Sequence, residues 1–175
     1  KLDRDNLNIA IKALTKLGIL LNIDDEKLSI NSNLDFIQGR VRCSSKGYCF
    51  VVREDQGEDI YIREANLNNA WHGDSVIVLI TKQGIKRRAP EGSIQCVLHR
   101  YNDSLLAKVE EEKSTGLLKA YPLDDRIPVT IELENDLNDI KTLTNKELIY
   151  EINISRYPIA QFNAKGSIVR ELSID

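Results

Sequence analysis

Apolar residues at Leu7, Ala10, Ile11, Leu14 and Leu17 recur at spacings of three and four, the period of a helix with one apolar stripe. Asp3 or Asp5 can serve as N-cap and Gly18 stands where a C-cap belongs, so one amphipathic helix is predicted. Two short β runs follow, Ile19 to Ile23 and Lys27 to Ile30, around the polar Asp24-Asp25-Glu26, which reads as a turn. Helix plus hairpin is the back half of a winged helix. Residues 1–33 are therefore expected to be a partial winged-helix element, the remnant of a larger unit, since half a unit cannot bury both of its faces.

From Leu34 the pattern changes to short β runs broken by Gly, Asn and Asp. Strands are predicted at 36–43, 48–53, 59–62, 74–80 and 92–98, and again at 105–109, 116–121, 127–131, 147–154 and 166–172. Five short strands per half suggest a small barrel. The halves also repeat: Gly92-Ser93-Ile94 with Leu98 returns 74 residues later as Gly166-Ser167-Ile168 with Leu172. At that offset Val76, Val78 and Ile80 correspond to Tyr150, Ile152 and Ile154, which preserves the alternation of the preceding strand. The fold class is thus mostly β, with two tandem five-stranded barrels at 34–100 and 101–175. The polar run Tyr101-Asn102-Asp103-Ser104 is expected to be a short linker between them.

Composition adds further limits. With 42% hydrophobic and 29% charged residues and a mean hydropathy of -0.31, the chain is expected to be ordered and globular. No apolar run approaches the length of a membrane span, no signal peptide is visible, and a cytoplasmic protein is expected. The chain starts at Lys1 and contains no Met, so it reads as a piece of something longer. Cys43, Cys49 and Cys96 are odd in number and lack CxxC spacing, which predicts reduced core thiols rather than a disulfide or a zinc site. His72 and His99 are too isolated for a histidine metal site.

Charge is uneven. The total of -3 hides a neutral start at 1–33, ten basic against eight acidic residues (+2) at 34–100, and nine against fourteen (-5) at 101–175. The middle segment is the one suited to a phosphate backbone. It also holds Lys46-Gly47-Tyr48-Cys49-Phe50-Val51-Val52, where a strand points Tyr48 and Phe50 to one face and Cys49 and Val51 to the other. In Asp59-Ile60-Tyr61-Ile62-Arg63, Tyr61 and Arg63 share a face by the same rule. If the two strands are neighbours, three rings and a guanidinium form a patch that suits unstacked bases, with Lys46 and nearby arginines on phosphates. Aromatic residues are also simply good strand formers, but three of the nine Phe and Tyr residues on one face favour a binding surface. Arg87 and Arg88, with Lys82 and Lys86, lie in the loop before the last strand of the first barrel and are candidate phosphate contacts.

The run Lys46-Gly47-Tyr48-Cys49-Phe50-Val51 resembles the first ribonucleoprotein motif of cold-shock domains, and Ile60-Tyr61-Ile62-Arg63 resembles the second. Cys49 departs from the glycine usual there. The succession Trp71-His72-Gly73-Asp74-Ser75-Val76, Arg88, Glu91-Gly92 and Val97-Leu98-His99-Arg100 is similar to the first cold-shock domain of the ribonuclease II and ribonuclease R family of 3′ to 5′ exoribonucleases. Tyr121-Pro122-Leu123-Asp124-Asp125-Arg126-Ile127, Arg156-Tyr157-Pro158 and Lys165-Gly166-Ser167-Ile168 resemble its second.

This resemblance implies two OB-fold barrels that guide single-stranded RNA to a separate, magnesium-dependent catalytic module. Asp24-Asp25 and Asp124-Asp125 have no further Asp close by and suit turns better than a metal centre, so neither a catalytic nor a metal site is expected within this chain. Trp71 is expected to cover the end of a barrel rather than to stack a base, and Tyr157-Pro158 to form a corner. Glu110-Glu111-Glu112 reads as a solvated turn. In the second barrel the place of Tyr48 and Phe50 falls near Leu117 and Leu118, which predicts weaker stacking, with Lys119, Arg126 and Arg156 as candidate backbone contacts. Three other readings stay open: a free-standing tandem cold-shock RNA chaperone, a protein-docking module using the acidic second barrel, and DNA binding by the helix near Lys12 and Lys16.

Overall fold

The computed structural model describes residues 4–24, 27–31, 36–134, 148–159 and 161–172. Helix α1 spans Arg4–Lys16, with Asp5 in its first turn and Gly18 at a φ of +72° just beyond its end. Asp5 is therefore inside the helix, and Asp3, the other N-cap candidate, lies outside the described residues. Strands β1 (Leu20–Asp24) and β2 (Lys27–Ile30) pair antiparallel as a separate two-stranded sheet, and the proposed turn at Asp25 and Glu26 also lies outside the described residues. Asn31 ties this unit together, its backbone N–H donating to the Ile19 carbonyl and its side-chain amide to that of Gly18.

Two closed five-stranded barrels follow. The first comprises β3 (Phe36–Cys43), β4 (Cys49–Arg53), β5 (Ile60–Ile62), β6 (Ser75–Lys82) and β7 (Glu91–His99), in the order β3-β4-β5-β7-β6. Pairing of β6 with β3 closes it, and β5 runs parallel to β7, as in a five-stranded OB barrel. The second comprises β8 (Ser104–Glu111), β9 (Leu118–Pro122), β10 (Ile131–Leu133), β11 (Ile149–Arg156) and β12 (Ala164–Leu172), with the same order and a parallel β10–β12 pair. Alternation does the folding work: Val41, Val51, Ile60, Ile62, Val76, Val78 and Ile94 point inward and are essentially inaccessible.

The internal repeat is structural. Gly92 pairs with Ile62 and Ile80, while Gly166 pairs with the matching Leu133 and Ile154. A Cβ on Gly92 would lie 2.5 Å from Val78 and 2.8 Å from Ile60; one on Gly166 would lie 2.9 Å from Ile152 and 3.2 Å from Ile131, the residues in the corresponding places. Each barrel thus uses glycine where the last strand crosses its core most closely.

Four expectations change or sharpen. Strand β10 begins at Ile131 rather than Ile127, because Ile127 closes a turn by donating its N–H to the Asp124 carbonyl and Pro128 follows. Glu110 and Glu111 belong to β8, opposite Lys119 and Leu118, so the turn starts only after them. The stretch from Tyr101 is the short connection expected between β7 and β8, but it is pinned rather than merely polar: Asp74, fully buried, accepts hydrogen bonds from the backbone N–H groups of Trp71 (2.8 Å) and Tyr101 (3.0 Å) and from Arg100 Nη1 (2.9 Å). Finally, Cys43 and Cys49 are joined in a disulfide, with only Cys96 free. Spacing arguments miss this bond because the hairpin register sets the two residues directly opposite each other, 4.1 Å apart at Cα, and both face inward. With that bond present, the cysteines no longer argue for a reducing compartment.

Trp71 is buried, as its size suggested, but against the second barrel: it joins the core that contains Leu105, Ile131 and Ile152, and meets Tyr157 edge-on at 5.2 Å. Tyr157 Oη donates to the Asn102 carbonyl at 2.7 Å, and the Arg100 guanidinium lies 4.3 Å above its ring. Tyr157 is accordingly a corner post that ties β11 to the junction, and burial pushes its phenol pKa upward.

Candidate nucleic-acid interface

The register of the first barrel turns separate sequence motifs into one transverse row. Arg42 on β3 lies opposite Phe50 on β4, Phe50 opposite Tyr61 on β5, Tyr61 opposite Glu91 on β7, and Glu91 opposite Lys82 on β6. Arg42, Phe50 and Tyr61 lie on the outer face, because their strand neighbours Val41, Cys49, Val51, Ile60 and Ile62 are buried, and Glu91, next to buried Gly92, and the exposed Lys82 continue the row. Phe50 and Tyr61 touch, with ring centroids 5.4 Å apart and planes inclined at 56°. Both are half-buried, their edges packed and part of their surface open to solvent.

Tyr48 precedes β4 on the same side as Phe50 and is 57% exposed. It ends the fully exposed loop Ser44 to Tyr48, which carries Lys46 and turns at Gly47, where a φ of +81° calls for glycine. The loop is pinned by the Ser44 N–H to the Tyr48 carbonyl at 2.8 Å and by the Gly47 N–H to the Ser44 carbonyl at 3.0 Å. At the far end of the row the loop 83–90 rises between β6 and β7. Ile85 and Arg88 exchange backbone hydrogen bonds there, setting Lys86 and Arg87 at an exposed tip, with Arg88 exposed beside them.

The electrostatics divide the predicted residues. Arg63 is exposed but engaged, its guanidinium 2.8 Å from the Glu91 carboxylate, which Lys82 also approaches to 3.7 Å. Lys46, Arg42, Lys86, Arg87 and Arg88 have no carboxylate partner among the described residues. Arg42 was not singled out from sequence, although counting back across the hairpin from Phe50 finds it. Its flank is the junction side, where Cys43 donates its N–H to His72 Nδ1 at 3.0 Å. Burial, with the Arg126 and Arg42 cations, holds the His72 pKa below its ordinary value, which keeps Nδ1 free to accept that bond near neutral pH.

In the second barrel the matching positions differ in kind. Lys119 opposite Glu132 takes the place of Phe50 opposite Tyr61, one residue beyond the Leu118 expected from sequence, and Leu117 takes that of Tyr48. Lys119 Nζ is 2.5 Å from Glu112, Arg126 forms a two-point ion pair with Asp124, and Arg156 donates to the Asn163 carbonyl. Those three candidate contacts therefore already have partners. The Asp124 pKa is lowered by Arg126, the signature of a structural ion pair. Among the described residues no three His, Cys, Asp or Glu side chains converge in a group that could hold a metal ion. No helix among them is long and apolar enough to cross a membrane.

Residues 39–97, which include the whole aromatic row, match the family described as the ribonuclease B OB domain. Among curated proteins the chain is 39% identical over 170 residues to the acetazolamide conferring resistance protein zam of Synechocystis, and 20% identical over 170 residues to ribonuclease R of Acidithiobacillus ferrooxidans. Those alignments take in 97% of this chain but only 21% and 38% of the relatives, so the chain spans a minor part of their length. Among solved structures, yeast Ssd1, a pseudonuclease, superposes over 98% of this chain and 24% of its own with a TM-score of 0.63 at 18% identity. Ribonuclease R of Mycoplasma genitalium in complex with ribose-methylated single-stranded RNA superposes over 78% of this chain and 21% of its own, with a TM-score of 0.64 at 17% identity. The first barrel thus resembles an OB domain of the ribonuclease B kind, and the order of helix, hairpin and two barrels is consistent with the N-terminal OB region of that family.

Proposed function

We propose that this chain is the single-stranded RNA-binding front of a protein of the ribonuclease II and R type, and that the first barrel does the gripping. The observation that carries the reading is the Phe50–Tyr61 pair, two touching rings on an outward sheet face beside Arg42, which has no carboxylate partner among the described residues. A ring face accepts any base, and each stacked base contributes about 1 to 3 kcal/mol, so such a row suits a strand passed along without regard to sequence. Tyr48 extends the platform, while Lys46, Arg42, Arg87 and Arg88 contact phosphates. Arg63 orders the row through Glu91 and contributes to the backbone contact only where that pair loosens.

In this reading RNA leaves the row for a catalytic module outside this chain, which would hold magnesium and cleave from the 3′ end. The ribonuclease R neighbour was solved with single-stranded RNA, which supports RNA as the ligand; a pseudonuclease shares the same arrangement, so the barrels accord with a binding role whether or not the parent cleaves. The test is fluorescence anisotropy of a labelled oligouridylate against wild type and Tyr48→Ala/Phe50→Ala/Tyr61→Ala over a salt series. The triple variant is expected to lose about 2 kcal/mol or more at an unchanged salt slope, because phosphate contacts set the slope and stacking does not. Equal binding by both proteins contradicts the assignment.

A further inference from the structure

We propose that Cys43 and Cys49 form a reversible thiol–disulfide exchange site, opened by a dithiol, which governs how the Ser44 to Tyr48 loop presents Lys46 and Tyr48. The consequence for RNA rests on the function proposed above; the exchange site itself does not. Position makes the argument. The bond joins the last residue of β3 to the first of β4, and so closes a small ring around the one loop that carries Lys46 and Tyr48 and leads directly into Phe50. All five residues within the ring are exposed, so no buried side chain fixes the loop; besides the backbone bonds at its neck, it has only the Tyr48 N–H to Ser44 Oγ contact at 3.3 Å. Its shape is set by where its two ends are held.

The buried bond also borders a cavity. Cys43, Cys49, Ser44 and Gly47 line a cavity of about 490 Å³ between the barrels, with His72 and Arg126 on its walls. Charge around it is mixed, since Arg126 on its wall is paired with Asp124 and Glu64 also lines it, so the inference rests on where the bond lies and on the cavity beside it. Cys96, by contrast, is half-buried and its pKa is pushed upward by burial, which leaves it a poor exchanger. In the exchange, one thiolate of a dithiol attacks a sulfur of the Cys43–Cys49 bond; that bond breaks, a mixed disulfide forms and the other cysteine leaves as thiolate. The second thiolate of the dithiol then displaces the remaining cysteine. Two electrons and two protons pass to Cys43 and Cys49, and the dithiol ends as a disulfide.

The test compares air-oxidised protein with protein reduced by dithiothreitol. Alkylation after unfolding should modify one cysteine in the first, the free Cys96, and three in the second. Amide hydrogen exchange over 44–48 should rise about tenfold on reduction. The Kd for labelled oligouridylate should weaken about threefold to tenfold as the loop loses its preorganisation. Cys43→Ala/Cys49→Ala should show the weaker Kd with or without the dithiol. Three modified cysteines in the oxidised protein overturn the inference. So does unchanged exchange over 44–48, or an unchanged Kd in protein that binds RNA. If exchange responds but neither state binds RNA, the exchange site stands and the proposed function falls.

Discussion

The two barrels have the same topology, the same glycine at the same crossing and the same strand register, yet their equivalent outer faces carry different chemistry. Where the first sets Phe50 against Tyr61, the second sets Lys119 against Glu132, and Glu112 already occupies Lys119. The lesson is that the inward alternation specifies the barrel while the outward alternation is free to vary, so repetition of a fold does not repeat its function. The inward positions match almost residue for residue: Val76, Val78, Ile60 and Gly92 against Tyr150, Ile152, Ile131 and Gly166. The outward ones do not. A half-buried ring pair on an outer face is not needed to close such a barrel, since the second closes without one, and its presence in the first accords with a ligand there.

A second difference lies at the junction. Asp74 immediately precedes the fourth strand of the first barrel and organises Trp71, Arg100 and Tyr101; the same place in the second barrel, 74 residues on, is Leu148, packed against that barrel's own core. One carboxylate thus serves both barrels. Asp74→Ala should produce the largest effect of any single substitution, about 3 to 5 kcal/mol, since it strands a partly buried guanidinium and two backbone donors. Urea unfolding should also separate into two transitions as Trp71 loses its seat in the second core. A loss below about 1 kcal/mol with one transition would contradict a shared junction.

Transplanting the ring pair sharpens the comparison further. Lys119→Phe/Glu132→Tyr gives the second barrel the missing platform, and about 1 kcal/mol of added RNA affinity is expected, a several-fold lower Kd by anisotropy. No gain would mean that the rings act only beside the cations of the first barrel.

Much of this was legible in the chain. The repeat at a fixed offset and the strand alternation follow from local patterns and the structure keeps them, while the pairing of the two aromatic strands, only a condition in the sequence reading, is met. The rest depended on pairing across strands. The Arg42–Phe50 and Cys43–Cys49 oppositions come from the register of the hairpin, and a one-residue slip there would exchange the two faces of the strand. The Arg63–Glu91 ion pair crosses 28 residues of chain and a parallel strand pair, which spacing does not reveal. Tyr101 to Ser104 looked like a linker by polarity alone; its backbone is ordered by a buried carboxylate far away in sequence. Strand β10 was misplaced because Ile127 is apolar for closing the barrel's end, not for pairing.

The most direct test of the central claim is to titrate isotope-labelled chain with a short oligouridylate and follow backbone amide shifts by NMR. The account predicts that perturbations concentrate at 42–50, 60–63 and 82–91, while 118–122 and 131–133 stay still. Perturbations centred on the second barrel, or spread equally over the two, would contradict it.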